Sequence, residues 1–122
     1  MDEAVIRADS RAEYFWPERC YILEMSNSES DPQVSLARCR VEAGVTTVLH
    51  RLRGVDERYI VQEGRGRMEV GDIPPAEVRA GDVVLVPAGT RQRITNTGAE
   101  DLVFLCVCSP RFRAECYESL EE

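Results

Sequence analysis

Glycine and proline cut this chain into short pieces. Eight glycines and six prolines separate apolar runs only a few residues long, and no segment carries the three-and-four spacing of an amphipathic helix. Strands fit such a pattern and helices do not. Cys20 to Met25 is predicted as a strand, closed by the turn-rich stretch Ser26 to Pro32. Val34 to Glu42 alternates, with Ser35, Ala37, Cys39 and Val41 on one face and Arg38, Arg40 and Glu42 on the other. Thr46 to Leu52 follows the Ala43-Gly44 turn. Arg58 to Gln62 and Arg67 to Val70 are predicted as a hairpin joined at Glu63 to Gly66. Val83 to Val86, Arg91 to Asn96 and Leu102 to Cys108 complete the strands, each ended by glycine or proline. Ser10 to Tyr14 is predicted as a short helical turn leading into an aromatic anchor, and Arg113 to Glu122 as a loose one. The fold class that follows is all-β, a barrel or sandwich.

Composition narrows what such a fold does. The chain of 122 residues is large enough to bury a core in one domain spanning 1–122. Its formal net charge of −7 argues against nucleic acid and anionic membranes as partners. No apolar run approaches a membrane span. All 15 basic residues are arginine, so Schiff-base and lysine-base chemistry are excluded. The five cysteines are odd in number and form no Cys-x-x-Cys pair. With no signal-like start, a reducing cytoplasm is the expected location. Most of these thiols are expected to be small buried hydrophobes, Cys39 and Cys106 being the two worth probing.

Two segments carry chemistry. The first, residues 44–64, runs from Gly44 to His50, Leu52, Glu57 and Gly64; the second, 81–96, runs from Gly81 to Pro87, Gly89, Gln92 and Asn96. Residues two apart on a strand share a face, so Val48, His50 and Leu52 point together, as do Glu57 with Tyr59 and Gln92 with Ile94 and Asn96. The spacing resembles the paired signature of the cupin superfamily, from about Cys20 to Pro110, with residues 1–19 as an N-terminal extension. That resemblance implies a double-stranded β-helix, a jelly-roll-like antiparallel barrel, whose first motif gives His-x-His and Glu and whose second gives a third His.

This chain departs from that pattern at two positions. Leu52 stands where the second histidine falls and Gln92 where the third does, and His50 is the one histidine present. The resemblance then implies a divalent metal (Mn, Fe, Ni, Co or Zn) held by His50, Glu57 and Gln92. Tyr59, two residues after Glu57 on the same face, is expected either as pocket wall or as the proton-transfer partner. Lewis-acid isomerase, lyase or oxygenase chemistry on a small polar molecule is one expectation. The other is a metal-free barrel that binds a small ligand or regulates, with Leu52 as apolar wall. Arg51, Arg53, Arg91 and Arg93 face away from the motif side chains and are expected to pair with surface acids. The strand from Leu102 to Val107 is apolar on both faces, and a homodimer is expected to cover the outer one.

Overall fold

The computed structural model describes residues 1–121. Its strands are β1 (Tyr14–Trp16), β2 (Cys20–Ser26), β3 (Ser35–Val41), β4 (His50–Leu52), β5 (Asp56–Glu63), β6 (Arg65–Val70), β7 (Ala76–Arg79), β8 (Val83–Val86), β9 (Gln92–Asn96), β10 (Leu102–Ser109) and β11 (Tyr117–Ser119). Single 3-10 turns occupy Ser10–Ala12 and Ala114–Cys116. Six strands form one antiparallel sheet in the order β1-β2-β3-β10-β5-β8, and five form a second in the order β11-β4-β9-β6-β7. The all-β, jelly-roll expectation holds. Among the described residues the two sheets face each other without a continuous hydrogen-bond ladder closing them. No helix there is long and apolar enough to cross a membrane.

Alternation decides which side chains meet between the sheets. On β10, Leu102, Phe104, Cys106 and Cys108 are buried, and on β9 so are Gln92, Ile94 and Asn96. Val41, Val61, Met68 and Ile94 join Leu102 and Phe104 in the main core. A smaller cluster gathers Leu52, Val55 and Cys108 under Phe112, Cys116 and Tyr117. Leu52 therefore packs as the apolar wall that its place in the motif requires once histidine is gone.

Three expectations need correction. β5 and β6 are not a hairpin: β5 pairs with β10 and β8, while β6 pairs with β7 and β9 in the other sheet. The chain turns this corner at Gly64, with φ of +80° and the Asp101 carbonyl oxygen 2.6 Å from where a Cβ would sit. Only glycine tolerates both constraints. The strand predicted over Thr46 to Leu52 shortens to β4, because Thr46 and Thr47 bond to β9 through an isolated bridge and a hydroxyl instead of a ladder. The predicted C-terminal helical turn holds only at Ala114–Cys116. Tyr117–Ser119 then pairs with β4 as a strand, and Glu122 lies outside the described residues. The N-terminal extension, residues 1–19, contains β1, which pairs with β2 at the sheet edge.

Candidate functional site

His50 opens β4 and lies opposite Gln92 across the β4–β9 pair. Its side chain is buried, and its Nδ1 lies 2.7 Å from the Val48 carbonyl oxygen. A carbonyl only accepts, so Nδ1 carries the proton and Nε2 presents a free lone pair in the neutral ring. Burial pushes the imidazole pKa down, against the pull of the Val48 carbonyl. Tyr117 of β11 stacks on the ring, with centroids 4.9 Å apart. That contact fixes the plane of the imidazole.

Glu57 and Tyr59 come from the other sheet. In the β5–β10 register Glu57 lies opposite Cys108, and Tyr59 opposite Cys106. Glu57 is 8% exposed. One carboxylate oxygen accepts from the Cys108 thiol at 3.8 Å, and the other, Oε1, has no partner. Burial pushes its pKa up, opposed by Cys106, Gln92 and Cys108 nearby. The Tyr59 hydroxyl donates to Gln92 Oε1, tying one sheet to the other. Its ring stacks on Phe104 with centroids 4.8 Å apart. Burial and the Glu57 charge lift the Tyr59 phenol well above its ordinary pKa, so it stays protonated at working pH.

His50, Glu57 and Tyr59 line a cavity of about 70 Å³ that runs outward between the two sheets. Common ligand pockets measure roughly 300–1,000 Å³, so this one takes a molecule of few heavy atoms. Gln92 is brought opposite His50 and accepts from Tyr59, but it is not among the residues that line the cavity. Asn96 plays no part in the cavity: its amide nitrogen donates to the Val41 and Glu100 carbonyls at 2.9 and 2.8 Å, and its oxygen accepts from the Gly98 N–H at 2.9 Å.

Sequence reasoning missed Glu18. β1 and β2 form a hairpin with Trp16 opposite Cys20, so Pro17, Glu18 and Arg19 make a three-residue loop. Such loops close with a left-handed third residue, and Arg19 has φ of 71°. The loop is anchored by the Val48 N–H donating to the Glu18 carbonyl at 3.1 Å. The Glu18 carboxylate then lies 3.8 Å from His50 Nδ1, with its side chain 15% exposed. Burial and the Glu57 charge push its pKa well up. Proline before an acid is the one local hint, and it signals a turn without saying which way the acid points.

The arginines behave as expected. Arg51 pairs with Glu118 at 2.6 Å, Arg91 with Asp72 at 2.9 Å and Arg93 with Glu69 at 2.8 Å. No arginine lines the cavity. Cys39 and Cys106 approach to 3.5 Å between sulfurs inside the core. Burial raises both thiols, the Cys39–Cys106 contact itself holding Cys106 up and Cys39 down. Neither is a ready thiolate.

Two facing antiparallel sheets with polar groups borne inward on β4, β5 and β9 define a small barrel that holds its chemistry at the centre. Residues 37–108 match the Cupin domain family, and the chain belongs to it. Over 87 residues it is 38% identical to the uncharacterized protein MJ1618 of Methanocaldococcus jannaschii, covering 71% of this chain and 69% of that one. A Thermotoga maritima protein described as a predicted oxalate decarboxylase superposes with a TM-score of 0.77 at 23% identity, over 88% of this chain and 99% of that one. KdgF from a Halomonas species gives 0.73 at 15% identity, over 82% and 88%. These two likenesses speak to the fold.

Proposed function

We infer that this cupin binds a small polar molecule in its central cavity beside a divalent metal ion, and acts on it there. One observation carries the reading: Glu57 Oε1 is buried without a partner while lining the same cavity as an imidazole with a free Nε2. An orphaned carboxylate oxygen is costly unless something binds it. His50 Nε2 and Glu57 fit such an ion, and Gln92 Oε1, which already accepts from Tyr59, would be the third donor at the expense of that bond. Mn, Fe, Co, Ni and Zn all suit one nitrogen and two oxygens. When bound, the ion supplies Lewis-acid polarisation of a substrate oxygen, the property that isomerases, lyases and oxygenases share.

The protein's own groups do the rest. Val48 and Tyr117 hold the His50 ring and leave Nε2 without a partner. Tyr59 keeps its proton and is the donor nearest Gln92. Leu52 and Phe104 exclude water from one side of the cavity. Elemental analysis of protein purified without chelator, beside His50→Ala and Glu57→Ala, tests the reading. Near-stoichiometric metal lost in both variants supports it; no metal after reconstitution overturns it.

A second reading is a metal-free barrel that binds or senses a small ligand. It is favoured by the absence, among the described residues, of any cluster of three His, Cys, Asp or Glu side chains able to hold an ion. Under either reading the protein works in the cytoplasm as a homodimer. Val83 and Leu85, 56% and 67% exposed, extend an apolar outer face from Leu105, Val107 and Ile60, and a second copy covers it.

A further inference from the structure

Tyr14 and Trp16 of β1, Phe112, and Tyr117 of β11 give the cavity an aromatic lining. Trp16 meets the other three at steep angles of 67°, 82° and 83°, with centroids 6.3 Å from Tyr14, 6.4 Å from Phe112 and 5.9 Å from Tyr117. Glu18, Glu24 and Glu57, the last with its orphaned oxygen, complete the lining. The buried His50 ring is the one basic side chain among the lining residues, and no arginine joins it. Fifteen arginines are available in the chain, yet the nearest by sequence, Arg19, turns away to pair with Glu121 at 2.9 Å and with the Thr46 carbonyl at 2.8 Å.

We propose that the cavity binds a small organic cation, an ammonium group held against Glu18 and the aromatic lining around Trp16. Aromatic rings attract such cations through their quadrupoles, and quaternary or protonated amines suit them best. A carboxylate substrate would meet three acids and no arginine, so anionic oxyacids are disfavoured. The inference rests on the cavity being the ligand site and does not need the metal.

Trp16 is the single tryptophan, so its fluorescence reports binding directly. Tetramethylammonium and choline chlorides, titrated at constant ionic strength, should change its emission saturably. The neutral near-isostere tert-butyl alcohol and sodium acetate should not. Glu18→Gln should weaken the ammonium response tenfold or more, with an unchanged far-UV circular dichroism spectrum. Tyr117→Leu, which leaves the acids in place, should weaken it as well. Equal titration by tert-butyl alcohol or acetate, or equal affinity in Glu18→Gln, overturns the proposal. Each titration is run on chelator-treated and metal-loaded protein. A cation response that persists when no metal binds sustains this inference while the metal reading falls; no response in either form overturns it whatever the metal content.

Discussion

Replacing Glu57 by Gln should make the metal-free protein more stable and the metal-loaded protein less so. The side chain is almost fully buried, its Oε1 lacks any partner, and its other oxygen meets only a thiol. An unsatisfied buried polar group costs about 1–3 kcal/mol, more when charged. Gln fills the same space without the charge. At about 2.1 cal/mol/K of unfolding entropy per residue, a chain of 122 residues shifts its Tm by about 4 °C per kcal/mol. A rise of about 4–12 °C is therefore expected in chelator. The pH dependence has a definite sign. Burial raises the folded-state pKa of Glu57, so its proton is held more tightly in the folded protein. That advantage is complete below the ordinary carboxylate pKa and is lost as pH rises through the raised value. The gap between variant and wild type should widen from acid to neutral pH. Metal reverses the order: at a hundredfold excess over Kd the wild type gains about 2.7 kcal/mol that the variant largely forgoes. Differential scanning calorimetry in chelator and in Mn, Zn or Ni, at several pH values, reads all of this. A Glu57→Gln variant destabilised in chelator would refute the reasoning, for it would make Glu57 a structural partner and not a waiting ligand.

Asn96→Ala should cost about 3 kcal/mol by thermal or urea unfolding, since two backbone carbonyls and one N–H lose their buried partner at once. Gly64→Ala should destabilise by about 2 kcal/mol or more, from the left-handed φ and the clash with the Asp101 carbonyl; Gly44→Ala, with a like φ and open space around it, should cost less. Leu85→Glu should shift a dimer to monomer in sedimentation equilibrium without lowering Tm at low protein concentration, because the side chain is 67% exposed within one copy.

The strands that carry their own signal were legible. Val34 to Glu42, Arg91 to Asn96 and Leu102 to Cys108 alternate because one face meets the core, and each lies within a residue of its predicted limits. The strands that went unread are edges. β7 buries Val78 alone of its four residues, and β11 is three partly exposed residues next to a polar tail. Their pairing comes from a neighbour's unfilled backbone groups, which local sequence does not encode. The corner at Gly64 looked like a hairpin turn because the same residue types serve both. For the candidate site, alternation put His50, Glu57, Tyr59 and Gln92 on inward faces, and the structure does bring them between the sheets. Period two gives a direction but no depth. It could not tell that Gln92 accepts from Tyr59, that Asn96 spends its amide on backbone groups, or that a loop acid 32 residues before His50 arrives beside it.

The hydroxyl that Tyr59 gives to Gln92 means that this amide is already engaged inside the barrel. Any guest that claims Gln92 must share or evict that proton, so occupancy is an exchange against an internal partner. An internal hydrogen bond is worth about 0.5–1.5 kcal/mol net, which sets a threshold of roughly two- to twelvefold in guest concentration.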